Sequence, residues 1–322
     1  MCSTGRRVRG RLAGPVRPTR GDQRSRAPDV PADDPGRCPT TLLPMPAQQI
    51  VRNLAFVNWT VLAALAVGAF GTVVLLRLRT DATKGYLGFT GLCAAAFGGL
   101  AWLSDGALPA IAGAGSPITV DPAWDFLRRA LLGLFALASL AYAIALFRGA
   151  RASILGIGAL AAGIGALVAG ALTWGGDVIG AVPLAIQLVA LAGATGGAFA
   201  GMILGHWYLV TPKLSTGPAL ALTRGLLWVV ALQVTLFAAW VGFGAGQNLA
   251  PFTPLTGPWA LFVWMRLLIG LVFPLVVTWA AGRTVWTRSM ESATGLLYID
   301  VGAIAAGTIL AAGLYFGAGL LV

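Results

Sequence analysis

Four ionisable side chains stand inside long apolar runs of this chain: Arg129, next to Arg128, then His206, Arg266 and Asp300. A charge at the centre of a membrane helix costs about 2.5–3.5 kcal/mol on insertion scales, so each is a candidate for function. Arg129 lies in WDFLRRALLGLF (124–135) and Arg266 in WMRLLIGLVF (264–273), each four residues before a glycine, Gly133 and Gly270. Two guanidinium groups in a cleft of low dielectric would form an anion receptor for a carboxylate, a phosphate or a lipid headgroup. The plainer reading of Arg128 and Arg129 is a local pair with Asp125 at i+3 and i+4 spacing. Arg266 has no acidic residue in its own span. Asp300, in YIDVGA, could carry a proton or make a polar contact with a neighbouring helix such as that bearing Gln233. Arg266 and Asp300 are each about two turns in from opposite faces, which argues against a direct salt bridge.

His206 stands in GHWYLVTPKLS (205–215), where Trp207 and Tyr208 mark a membrane interface and Pro212 ends the helix. An imidazole there bonds a loop carbonyl, accepts a proton from a quinone or transported substrate, or serves as a lone axial haem ligand. As the single histidine, it excludes a bis-histidine haem and a multi-histidine metal site within one chain. Cys2, Cys38 and Cys93 form no CxxC and no disulfide framework. No P-loop, HExxH, GxSxG, zinc or calcium motif is present, so no metal and no cofactor is expected, with quinone or lipid as the remaining small-molecule candidates.

The elements that hold these residues are apolar runs. Hydrophobic residues make up 57% of the 322 positions and charged ones 10%. A hydrocarbon core of ~30 Å requires about 20 apolar residues of helix, and unpaired backbone is not tolerated in lipid. The pattern predicts an all-α polytopic bundle of about eight spans, near 54–76, 85–103, 125–147, 153–173, 183–208, 220–244, 259–282 and 293–320. No gap between them can hold a soluble domain. Gly193, Gly197, Gly201 and Gly205 recur every fourth residue in the fifth span, the spacing that lets another helix approach closely. Pro274 should kink the seventh span.

Basic residues fall in alternate loops: Arg77, Arg79 and Lys84; Arg148 and Arg151; Lys213 and Arg224; Arg283 and Arg288. The connections 104–124, 174–182 and 246–258 carry none. The bias predicts a cell-membrane protein with these loops cytoplasmic and both termini outside. Residues 1–44 conflict with it, since they hold nine arginines and no aromatic residue or helical period. They read as a disordered basic tail, and Met45 reads as the biological start. Nine of the 22 basic residues lie in that tail and the rest mostly in short loops, as membrane insertion requires, so the net charge of +11 does not make nucleic acid an expected partner. The bilayer is, together with a homo-oligomeric or membrane-complex partner.

The Arg-x3-Gly match between the third and seventh spans and Gly-Ala-Phe at 68–70 and 197–199 suggest a four-plus-four duplication with parallel halves. Under that symmetry Arg129 and Arg266 would converge on one outer cavity. The function expected first is a transporter or channel-like protein for a small anionic or proton-coupled substrate. The alternative is a non-catalytic anchor or assembly subunit of a respiratory complex that binds quinone or lipid. A membrane-embedded lipid enzyme comes third, because no clustered carboxylates and no nucleophile–base pair support it.

Overall fold

The computed structural model describes residues 46–109, 117–150, 153–211, 214–244 and 250–322, which belong to one compact unit. The basic tail 1–44 and the proposed start at Met45 lie outside the described residues. A short helix, α1 (Pro46–Arg52), leads into α2 (Leu54–Arg79), α3 (Lys84–Asp105), α4 (Asp125–Phe147), α5 (Ser153–Trp174) and α6 (Val178–Val210). Then follow α7 (Gly217–Phe243), α8 (Ala260–Leu267), α9 (Phe273–Trp286) and α10 (Met290–Ala318). Among the described residues eight helices, counting 260–286 as one, are long and apolar enough to cross a membrane. The protein is an integral membrane helix bundle.

Element ends follow local chemistry. The fifth span begins at Val178 and not at 183, because the Asp177 carboxylate caps it, accepting from the Gly180 N–H at 2.8 Å. Pro183, the sixth residue of the helix, removes one hydrogen bond near its start, that to the Ile179 carbonyl. The expected kink at Pro274 takes the form of a π-helical turn, Leu268–Val272, between α8 and α9.

Each half closes into a ring with one neighbour order. In the first, α2 packs on α3, α3 on α4, α4 on α5, and α5 returns to α2. In the second, α6 packs on α7, α7 on α9, α9 on α10, and α10 returns to α6. The rings join along α2 and α6, the leading helix of each. There Gly68 and Gly196 bring the backbones together: a Cβ added at Gly68 would lie 1.7 Å from the Ala192 carbonyl oxygen. Without a hydrophobic drive between helices in lipid, such contact and interhelical hydrogen bonds hold a bundle together. The halves are also tied by Tyr86 Oη donating to the Ala200 carbonyl at 3.1 Å and Tyr315 Oη to that of Trp174 at 2.7 Å. Phe56 of α2 stacks on Phe316 of α10 at 5.1 Å between centroids.

Most hydroxyls in the spans are satisfied at home. Thr60, Thr72, Thr173 and Thr223 each donate to the carbonyl four residues back, and Ser139 to the one three back. Such back-bonding leaves nothing for a neighbour to satisfy. Thr278 and the Thr195–Thr308 pair bond between helices instead, and all three lie in the second ring.

Candidate functional site

In the second ring, Arg266 is 1% exposed. Pro274 has no N–H to give the carbonyl four residues back, that of Gly270. Arg266 supplies the missing donor, its Nη1 lying 3.1 Å from the Gly270 oxygen. Its Nη2 donates to Gln233 Oε1 of α7 at 2.9 Å, and Gln233 Nε2 in turn donates to the Ala190 carbonyl of α6 at 2.7 Å. Gly270 and Gly307 of α10 touch: a Cβ on either would lie 2.6 Å from the other's Cα, and one on Gly307 2.8 Å from Arg266 Nη1. Only glycines leave room for the guanidinium at this crossing. Both of its acceptors are neutral, and Nε has no partner among the described residues.

Asp300 of α10 is 0% exposed. Its Oδ2 accepts from Thr278 Oγ1 of α9 at 2.5 Å, while Oδ1 has no partner among the described residues. Asp300 and Gly307 are seven residues apart on α10, so the carboxyl and the guanidinium are separated by roughly 10 Å along the helix. They form no ion pair, as their differing depths in the sequence imply. Thr278 also lines a cleft of about 290 Å³ between α7 and α9, together with Arg224, Arg283 and Trp286. The cleft opens toward the end of the bundle that carries the basic loops. Thr278, itself 0% exposed, thus bonds the buried carboxyl and lies at the inner wall of the cleft.

The first ring treats its buried charge differently. Arg128, 4% exposed, is clamped by Asp105 of α3 at 2.8 Å and by Asp125 at 2.7 Å. Its guanidinium carbon lies 4.7 Å from the Trp174 ring centre and 6.0 Å from that of Trp59. The pairing expected within α4 is thus real for Arg128, but its buried partner, Asp105, comes from another helix. Arg129 is exposed and lies over Trp102 at 5.1 Å. Arg128 and Arg129 line a cleft of about 350 Å³ with both of these carboxylates, so its formal charge is balanced.

The expected convergence of Arg129 and Arg266 does not occur. Helix α4 packs on α3 and α5, whereas α8 packs on α10, and each arginine stays within its own ring. The shared Arg-x3-Gly spacing misleads for a local reason. Position 137 is leucine, which keeps its N–H for Gly133, so Arg129 has no freed carbonyl to serve. His206 is exposed near the end of α6, while Gly205 beside it faces Thr294 of α10. Gly193, Gly197 and Gly201 receive Val229, Leu226 and Leu222, so this ladder forms the α6–α7 seam. The closest crossing falls one position away, at Gly196.

Sequence reasoning missed Asp105, Thr278 and Gly307, and assigned Gln233 to Asp300 when it serves Arg266. One signal was present: the Arg266–Gly270–Pro274 spacing of four and four marks a freed carbonyl with a donor one turn before it. No protein-family model matches the chain, and no curated protein matches it.

Proposed function

We propose that this protein is a carrier that moves a small anion in step with a proton, with the second ring as its working half. The observation that carries this reading is the contrast between the rings. Arg128 shows how this bundle treats a structural intramembrane charge, giving it two carboxylates and two indoles. Asp300 and Arg266 are buried at least as deeply, yet among the described residues neither has an opposite charge in ion-pair reach and each keeps one polar atom without a partner. Unneutralised groups at membrane depth are costly and mark ion or proton pathways. In this scheme Asp300 exchanges its proton with the basic face through Thr278. Arg266, fixed by Gln233 and Gly270, offers its Nε and its charge to the anion. A lipid-modifying enzyme finds less support, since the one hydroxyl of these two clefts that bonds a carboxyl, that of Thr278, is fully buried.

The charge bias of the loops supports a reading in which the α7–α9 cleft faces the cytoplasm and both termini lie outside, in the cell membrane. In a chain whose native cysteines are replaced, cysteines at Thr80 and Arg288 are expected to resist an impermeant thiol reagent in intact cells, and one at Thr256 to react. The reverse pattern would invert the topology.

The carrier reading requires the chain to act alone. Purified and reconstituted without partners, it should take up protons into dye-loaded vesicles when chloride, phosphate, sulfate or glutamate is supplied on the same side. Isolation only as part of a larger complex, with no such uptake by the separated chain, would favour the subunit reading instead.

A further inference from the structure

We infer that the cleft between α7 and α9 is a binding site for the phosphate headgroup of an anionic phospholipid in the leaflet at the basic face. This does not rest on the carrier reading, because it needs only the cleft and its rim. Among the described residues, its lining includes two arginines, Arg224 of α7 and Arg283 of α9, and no carboxylate. Neither guanidinium forms an ion pair among the described residues. The Arg128 cleft makes the contrast, since two aspartates neutralise it. Arg283 is held in place by two indoles, its guanidinium carbon lying 5.9 Å from the Trp279 ring centre and 5.5 Å from that of Trp286.

Depth and direction favour lipid over a soluble anion. Arg283 lies three residues before the end of α9 and Arg224 seven residues into α7, so both are within roughly 10 Å of the helix ends. A long side chain bridges that distance by snorkelling to the interface. Trp279 and Trp286, which also line the cleft, are 55% and 65% exposed. Indoles at this level belong among headgroups. The cleft of about 290 Å³ exceeds the ~30 Å³ share of one liquid water several-fold. It has room for a phosphate between the arginines. A phosphodiester accepts several guanidinium hydrogen bonds at once, which a zwitterionic headgroup offsets with its own cation.

The test is thermal unfolding of the full chain in detergent with added phosphatidylglycerol, phosphatidylcholine or inorganic phosphate, with native mass spectrometry to count retained lipid. Phosphatidylglycerol should raise Tm by several degrees and remain bound, while phosphatidylcholine and phosphate should do neither. The shift and the retained lipid should vanish in R224Q/R283Q and persist in R77Q/R79Q, which removes the same charge from the same face. Both arginines of the cleft are exposed, so the first variant should fold. An equal shift with phosphatidylcholine, or a shift that survives R224Q/R283Q, would overturn the site. An equal shift with inorganic phosphate would make it a soluble-anion site and overturn the lipid assignment.

Discussion

Replacing Asp105 by alanine should destabilise the bundle by about 3 kcal/mol or more, the cost of stranding one member of a buried ion pair. The Asp105 side chain is 2% exposed and that of Arg128 5%, and the indoles of Trp59 and Trp174 exclude water from the guanidinium. Asp125 cannot take over fully. Its carboxylate is 48% exposed, where an ion pair contributes roughly 0–1 kcal/mol, so Asp125→Ala should have a small effect. Replacing both partners, as in D105L/R128L, removes the stranded charge and should recover most of the loss, because an apolar pair of similar size is often as stable as a buried salt bridge. Equilibrium unfolding of the two single variants and the double in detergent forms a complete cycle. Additive losses would show that Arg128 and Asp105 are not coupled and would remove the structural reference used for the other buried charges.

The second large effect is expected at the α2–α6 crossing. A Cβ at Gly196 would lie 2.1 Å from the Ala69 backbone nitrogen, and one at Gly68 would overlap the Ala192 carbonyl. Backbone cannot move aside as a side chain can. Overpacking of a core ordinarily costs about 1–3 kcal/mol, and a clash against backbone on both helices belongs at or above the top of that range. Gly68→Val and Gly196→Val should therefore yield little monodisperse protein on size exclusion. Gly197→Ala makes the comparison: its Cβ would meet Leu226 at 3.4 Å, an ordinary contact, and its stability should change little. A folded Gly196→Val with unchanged Tm would mean that the rings are not joined where the structure joins them.

The spans were legible because length and hydropathy determine a transmembrane helix almost unaided. Expected and observed limits agree within a few residues, and the largest shift, at Val178, comes from an aspartate cap ahead of Pro183. The pairing of charges was not legible in the same way. Asp105 stands at a span end beside a loop, and nothing local in the sequence directs it to Arg128 on the next helix. The glycine ladder at 193, 197, 201 and 205 was visible as a period, but a period does not name the partner helix. It could not reveal that Gly196, outside the ladder, makes the tighter approach. The matched arginines misled because the repeat was read from identity and spacing alone. The proline that gives Arg266 its acceptor has no counterpart after Arg129.

If the buried carboxyl of Asp300 carries the coupled proton, as proposed, Asp300→Asn should separate proton uptake from the anion. Asparagine is nearly isosteric and keeps an oxygen to accept from Thr278, so the variant should insert, purify and unfold like the wild type. In proteoliposomes it should lose anion-driven proton uptake, whereas Arg129→Gln, altering an exposed residue of the other ring, should retain it. Proton uptake by Asp300→Asn at the wild-type rate would contradict the account and leave the buried carboxyl as a structural partner of Thr278.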